Sequence, residues 1–227
     1  AYAGNGDGID VLAAAGADLD RIDDRGRTAL GLAAERDERS IIRTLVAVGA
    51  TIDGADADGR TPLMHAAEAG RPESLELLLA LGAAADVTCR ELETPLIYAA
   101  RGGSIEAVLT LLQAGADVAA RNRLQADALM AAALEGHAGI VRALVRTGAD
   151  PRAVNGNGYT ALMAAAASGD ATTVRVLLES GAEVDARSRR GGTALMTAAM
   201  HGHERIVTTL LEAGADPAAV NRRGYTA

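Results

Sequence analysis

The chain reads as an all-α repeat solenoid: short helix-turn-helix units stacked side by side and joined by β-hairpin-like loops. Three observations predict this class. A Gly-Ala pair recurs seven times at a fixed interval of 33 residues, at Gly16, Gly49, Gly82, Gly115, Gly148, Gly181 and Gly214. A second marker keeps the same period through Thr28, Thr61, Thr94, Asp127, Thr160, Thr193 and Thr226, usually followed by Ala or Pro and then Leu. The third is composition: hydrophobic residues make up 49% of the 227, yet there is no Phe, no Trp and only four Tyr. A single deep core uses aromatics to fill its volume, whereas a thin Ala/Leu core suits close-packed short helices. Two markers in one register without insertion mean an array rather than a globule.

Aligned on both markers, the chain divides into a partial unit at 1–22, full units at 23–55, 56–88, 89–121, 122–154, 155–187 and 188–220, and a stub at 221–227. In the unit 155–187, Asn155 to Gly158 carries turn chemistry, with Gly158 suited to a positive φ. Thr160 suits a helix N-cap, because its hydroxyl can accept an orphan backbone N–H. In neighbouring units Pro62 and Pro95 stand at the first helical position, where the missing N–H has no partner to lose.

The first helix carries Leu162, Ala165 and Ala166 on one face, and the Ala pair recurs in every full unit, through Ala132-Ala133 to Ala198-Ala199. Small side chains there let neighbouring helices approach closely, so all six pairs are expected in the packed stripe. Gly169 stops that helix, as do Gly70, Gly103, Gly136 and Gly202. A second helix is predicted over 171–179, with Val174, Leu177 and Leu178 at i, i+3 and i+4. Gly181 ends it, and an extended arm over 182–187 leads to the next turn. Neither helix is long enough to stand alone, so stability must come from burial between neighbours.

The pattern carried by these residues resembles the ankyrin-repeat family. Its D-x-x-G-x-T-P-L run begins most clearly at Asp56 to Leu63, and Gly136-His137 and Gly202-His203 match the mid-repeat pair. The resemblance spans all 227 residues. It implies stacked L-shaped units, hairpin tips projecting like fingers, a concave groove lined by first helices, and a protein-binding role. Three departures stand out. The His after T-P-L is absent from every unit, its place held by Gly31, Met64, Ile97, Met130, Met163 or Met196, so apolar packing must serve there. Asp127 replaces Thr, an equally good cap. Leu92 and Gln125 replace the turn glycine; they either adopt a different turn geometry or hold a positive φ costing about 1 kcal/mol.

Formal charge at pH 7 is −8, which argues against a nucleic-acid surface, since that needs a net basic footprint. No apolar run approaches the ~20 residues of a membrane span, and no signal peptide is visible. All 22 basic residues are Arg; with the Ala and Gly load this reads as GC-rich coding and suits a bacterial source. Cys89 is the only cysteine, so no internal disulfide can form. It fills the tip slot of Asp56 one unit earlier, beside Arg90, and is read as an inert thiol. The chain begins without Met in mid-repeat and stops as another unit starts, which reads as a piece of something longer.

His201-Gly202-His203-Glu204 invites a metal reading, but zinc needs three or four converging ligands, and His203 falls on the ordinary Gly-His position. No nucleophile elbow or phosphate loop appears. No catalytic residue, cofactor or metal is therefore expected. Binding is expected at the fingertips and the outward face of each first helix: Arg90, Glu91, Glu93, Tyr98, Arg101, Arg123, Leu124, Leu134, Glu135, Tyr159, Arg189, Arg190, Met200 and His201. Arg and Tyr are what interfaces prefer. The run from Arg90 to Glu135, with Tyr98, Leu124 and Leu134, is the expected contact centre. The expected function is a non-catalytic scaffold for another protein; the alternative is a structural or regulatory ankyrin segment of a larger protein or complex whose activity lies elsewhere.

Overall fold

A computed structural model describes residues 6–227, which form thirteen α-helices and no β-strand. The described residues divide into two compact units, 6–117 and 118–227. In the first, helices α2 (Ala29–Glu35), α4 (Pro62–Glu68) and α6 (Pro95–Gly102) pack in one layer. A second layer holds α1 (Gly6–Ala14), α3 (Arg39–Ala47), α5 (Pro72–Ala80) and α7 (Ile105–Gln113). The second unit repeats the plan. Its first helices are α8 (Ala128–Leu134), α10 (Ala161–Ser168) and α12 (Ala194–Met200), and its second helices are α9 (Ala138–Arg146), α11 (Ala171–Glu179) and α13 (Glu204–Glu212).

The caps explain why such short helices start where they do. Thr28, Thr61, Thr94, Thr160 and Thr193 each accept the N–H three residues on, from 3.1 to 3.4 Å. Asp127 does the same for Met130 at 2.9 Å. Pro62 and Pro95 open their helices, and so does Pro72 in α5. Gly70, Gly103, Gly136, Gly169 and Gly202 all take positive φ after the first helix. Asp37 holds that place in the unit 23–55 with φ 60°, a substitution the glycine pattern did not reveal.

Leu92 and Gln125 keep the left-handed turn, at φ 59° and 60°. The turn geometry is therefore unchanged, and each side chain sits in a conformation that disfavours it. At Gln125 the first residue of the turn, Asn122, holds it, as the equivalent residue does in other repeats, whereas Cys89 opens the Leu92 turn and its thiol faces Tyr98. Asp56 Oδ1 accepts the N–H groups of Asp58 and Arg60 at 2.8 Å, and Asn122, Asn155 and Asn221 bind the same two positions of their own tips. Such side chains mimic a backbone turn.

Ala33, Ala34, Ala66, Ala67, Ala99, Ala100, Ala132, Ala133, Ala165, Ala166 and Ala198 are all buried. Ala199 is not. The matching alanines of α8 and α10 are buried where first helices pack in a layer, whereas Ala199 is exposed. The second helix of 155–187 also turns slightly from its expected stripe: Val174 and Leu177 are buried together with Thr173 and Val176, while Leu178 is half-exposed. Successive arms are tied by polar bonds. Asp20 and Asp86 accept the backbone N–H of Thr51 and Asp117, and Asp185 that of Asp216, at 2.9 to 3.1 Å. Arg121 and Arg187 each donate to the carbonyl 33 residues ahead, Val154 and Val220.

Candidate functional site

The hairpin tips are stacked by backbone bonds as well as by sequence. Ala57 N–H donates to Gly26 O and Arg90 N–H to Asp58 O in the first unit. In the second, Gly156 donates to Leu124 O, Arg189 to Asn157 O and Arg222 to Arg190 O, between 2.9 and 3.1 Å. Tip glycines allow this approach: a Cβ on Gly158 would stand 2.9 Å from Arg189 N. Tip side chains, and the residues where each first helix begins and ends, therefore repeat at one spacing along each unit.

In the first unit this surface is charged and largely self-satisfied. Arg27 pairs with Asp23 at 2.8 Å and holds its carboxyl down to about pKa 2. Arg60 pairs with Glu68, and one repeat later the order reverses, Glu93 pairing with Arg101. Arg101 Nη1 stands 3.2 Å from Glu93 Oε2. Between these pairs lies Tyr98, its ring beneath the Arg60 guanidinium at 4.5 Å and that of Arg101 at 5.4 Å. Cations over a ring face are held by its quadrupole.

Tyr98 was expected to meet a partner, yet it is only 6% exposed. Its hydroxyl points into the base of the hairpin, 3.6 Å from Cys89 Sγ. Burial first, then the bond to the thiol, pushes the Tyr98 phenol above its usual range. Glu93 is buried as well, held by Arg101, so neither it nor Tyr98 offers the free contact expected of it. One repeat earlier the slots of Cys89 and Tyr98 hold Asp56 and His65, with Nε2 to Oδ2 at 2.9 Å. Here the missing family histidine has a substitute one residue later, a loop bond rather than the apolar packing expected. Burial, then the positive charge of Arg60, lowers the His65 pKa despite the pull of Asp56. Cys89 is buried. Arg90 and Glu91 remain exposed at the tip, and Arg101 is half-exposed.

The second unit presents different chemistry. Arg123, Leu124, Leu134, Glu135, Tyr159, Arg189, Arg190, Met200 and His201 are all exposed, as expected. Leu134 at 53% and Met200 at 77% are large apolar side chains standing in water. Tyr159, Arg190 and Met200 come together around one cleft of about 490 Å³, joined by Met196, Arg222 and Tyr225. Leu124 and Leu134 lie outside its lining.

The histidines do not converge on a cation. The His201 and His203 rings stack with centroids 5.8 Å apart, but their nitrogens serve carbonyls: His201 Nδ1 lies 2.9 Å from Thr197 O, and His203 Nε2 lies 3.2 Å from Ala167 O. Among the described residues no three His, Cys, Asp or Glu side chains gather as a metal site needs. His203 also does not cap α13 with its side chain; it reaches back to the preceding repeat instead.

The family model for ankyrin repeats matches three times, over residues 1–91, 52–122 and 129–221. Among solved structures, the ankyrin repeat domain of Bcl-3, titled a unique member of the IkappaB protein family, is 29% identical to this chain. That likeness has a TM-score of 0.74 and covers 88% of this chain and 92% of that one. In all, 560 chains of solved structures match, a breadth that fixes the fold and leaves the partner open. No curated protein sequence matches. Helix layers, cap and hairpin geometry, and the match to nearly the whole length lead to one statement: this chain belongs to the ankyrin-repeat family.

Proposed function

We propose that this chain is a non-catalytic scaffold that binds a partner protein through its hairpin tips and the adjoining ends of its first helices. Ankyrin repeats are in general protein-interaction modules, and the Bcl-3 domain belongs to such a family. The observation that carries the reading is the surface of the second unit, where Leu134, Tyr159 and Met200 stand exposed beside arginines. Exposed apolar side chains cost solubility and gain nothing in folding, so their grouping beside Arg and Tyr favours recognition. Arg90, Glu91, Arg123, Leu124, Glu135, Arg189, Arg190 and His201 extend the proposed surface, with Arg101 contributing its exposed edge. Among the described residues no helix is long and apolar enough to cross a membrane. Net charge −8 disfavours nucleic acid as the partner.

The test is capture of the partner from source extract, wild type beside Leu134→Ala/Tyr159→Ala/Met200→Ala, with thermal stability measured in parallel. All three side chains are exposed, so stability should change little. Recovery of one defined partner should fall at least tenfold. Equal recovery by both proteins would place recognition elsewhere on the chain.

A further inference from the structure

The cleft of the second unit owes its existence to a missing side chain. Residues 27, 60, 93, 126, 159, 192 and 225 occupy equivalent places at the end of each hairpin, and they read Arg, Arg, Glu, Ala, Tyr, Gly, Tyr. Gly192 stands between the two tyrosines, and the gap it leaves is the cleft. Met196 and Met200 line it with Tyr159 and Tyr225, and its volume is about 490 Å³. Nothing in the backbone demands glycine here. Gly191, one residue before, takes the positive φ of the turn at 77°, whereas Gly192 has no left-handed conformation. A Cβ on Gly192 would come within 3.3 Å of the Ser188 hydroxyl oxygen and of nothing closer. The equivalent positions show that this backbone carries side chains as large as Tyr and Arg.

The cleft's electrostatics are as distinctive as its shape. Its lining includes Arg190, Arg222 and Arg223 and no carboxylate, in a chain whose net charge is −8. None of these three guanidiniums has a carboxylate partner among the described residues. The first unit treats its arginines in the opposite way, pairing Arg27, Arg60 and Arg101 with its own acids. An apolar slot flanked by aromatic walls and ringed by unspent positive charge is complementary to a particular ligand. We infer that this cleft binds an acidic peptide segment that places a large apolar side chain between Tyr159 and Tyr225. Carboxylates on either side of the anchor reach Arg190, Arg222 and Arg223. The methionines adapt to the anchor, the tyrosines stack on it, and the arginines fix its orientation with charge-assisted hydrogen bonds. A single-stranded nucleic acid fits less well, because the methionine lining of the slot offers its phosphates nothing.

This inference rests on the protein-binding reading and names the chemistry of its partner. The probe is a fluorescein-labelled peptide with a central Leu-Phe pair flanked by glutamates, followed by anisotropy and by the methyl NMR signals of Met196 and Met200 in the full chain. Expected are saturable binding that weakens with salt, shifts at both methyls, and at least tenfold loss on Gly192→Tyr, which fills the slot at a φ that side chains adopt and asks only the Ser188 hydroxyl, 3.3 Å from the new Cβ, to shift. Arg190→Glu/Arg222→Glu should weaken binding comparably and reduce the salt dependence. A peptide with lysines in place of glutamates, or with glycines in place of the Leu-Phe pair, should bind at least tenfold more weakly. Tighter binding by the lysine peptide or by an oligouridine strand would overturn the assignment, as would no binding of the acidic peptide or binding unaffected by Gly192→Tyr in a folded variant. A native partner that is lost on the Leu134, Tyr159 and Met200 substitutions yet survives Gly192→Tyr would leave the scaffold reading standing and remove only this cleft from it.

Discussion

The two halves of the molecule put the same surface to different use. At the end of the hairpin and the end of the first helix, the first unit reads Arg27/Glu35, Arg60/Glu68 and Glu93/Arg101. The second reads Ala126/Leu134, Tyr159/Ala167 and Gly192/Met200, then Tyr225. In the first set Arg60/Glu68 and Glu93/Arg101 pair with each other on either side of Tyr98, while Arg27 turns to Asp23. The other leaves apolar side chains and arginines facing water. Since both sets sit on one backbone plan, the contrast shows that the repeat dictates where a side chain stands and leaves open whether it works inward or outward. Acids and bases eight residues apart satisfy one another across a turn, and a surface satisfied in that way has less to offer a partner.

The most forceful way to break the comparison is to damage each unit's core separately. Ala66 and Ala132 are both fully buried between helices, in the first and second unit respectively. Leu at either position overpacks a close contact, at a cost of about 1–3 kcal/mol. Because repeats contact mainly their neighbours, loss should concentrate in the unit that carries the change. Hydrogen exchange resolved along the chain should then show Ala66→Leu deprotecting 6–117 and Ala132→Leu deprotecting 118–227, with denaturant unfolding resolved into two transitions. Ala199→Leu, on an exposed site, should leave both units intact. Uniform loss of protection in every variant would mean one cooperative body.

A sharper probe concerns the charged face alone. Glu93→Gln leaves Arg101 partly buried without its carboxylate, and loss of about 1–2 kcal/mol is expected, between the values for exposed and buried pairs. Reversing the pair, Glu93→Arg/Arg101→Glu, rebuilds the bond within the repeat. It also sets two arginines, 60 and 93, and two glutamates, 68 and 101, at equivalent places of adjacent repeats. In the native chain Glu68 instead adds to the favourable field at Arg101. The swap should therefore recover less than half of the loss, measured as the urea midpoint of the first unit. Full recovery would mean that the reversal of sign between these two repeats contributes nothing.

The fold was legible because its determinants are local and repeated. Threonine caps, Pro at the first helical position and glycine stops each act within a few residues, and six copies expose them against the background. The left-handed turns at Leu92 and Gln125 were visible as departures from that pattern, although not whether the turn would yield. The exposure of the candidate residues was legible at the tips, as for Arg90, Leu124 and Arg190, and at the ends of first helices, as for Leu134 and Met200. Tyr98 was expected at the surface and is buried, for a physical reason. A first helix such as Ala161–Ser168 is apolar nearly all round, so no stripe marks its outward face. What decides the matter for Tyr98 is a bond to Cys89 nine residues away, and its counterpart between His65 and Asp56 has the same span. No helical or strand period reports such a pairing. The cleft at Gly192 was equally hidden, since a glycine after the turn glycine reads as more of the same turn.

The smallest expected effect is a pH dependence confined to the first unit. His65 faces Asp56 from its own hairpin, with Arg60 and Glu35 near enough to act on its charge, and Arg25, Arg27, Asp58 and Glu68 line the same recess. Burial and Arg60 outweigh the acids, so the folded-state pKa lies below the ordinary 6.5. The sign follows from proton binding. As pH falls through about 6.5 the unfolded chain takes up a proton that the folded chain still refuses, so stability declines from there down to the folded pKa. Above about 6.5 both states carry neutral imidazole and the contribution is constant. His65→Gln keeps an amide donor for Asp56 and removes the titration. Stability of the first unit, followed by exchange-resolved unfolding between about pH 7.5 and 5, should fall with pH in the wild type and fall less steeply in the variant. A wild type that falls less steeply than the variant would mean that the Asp56 carboxylate holds the proton on His65 after all and that this pair acts as a salt bridge; identical slopes would mean that folding leaves the His65 pKa unchanged.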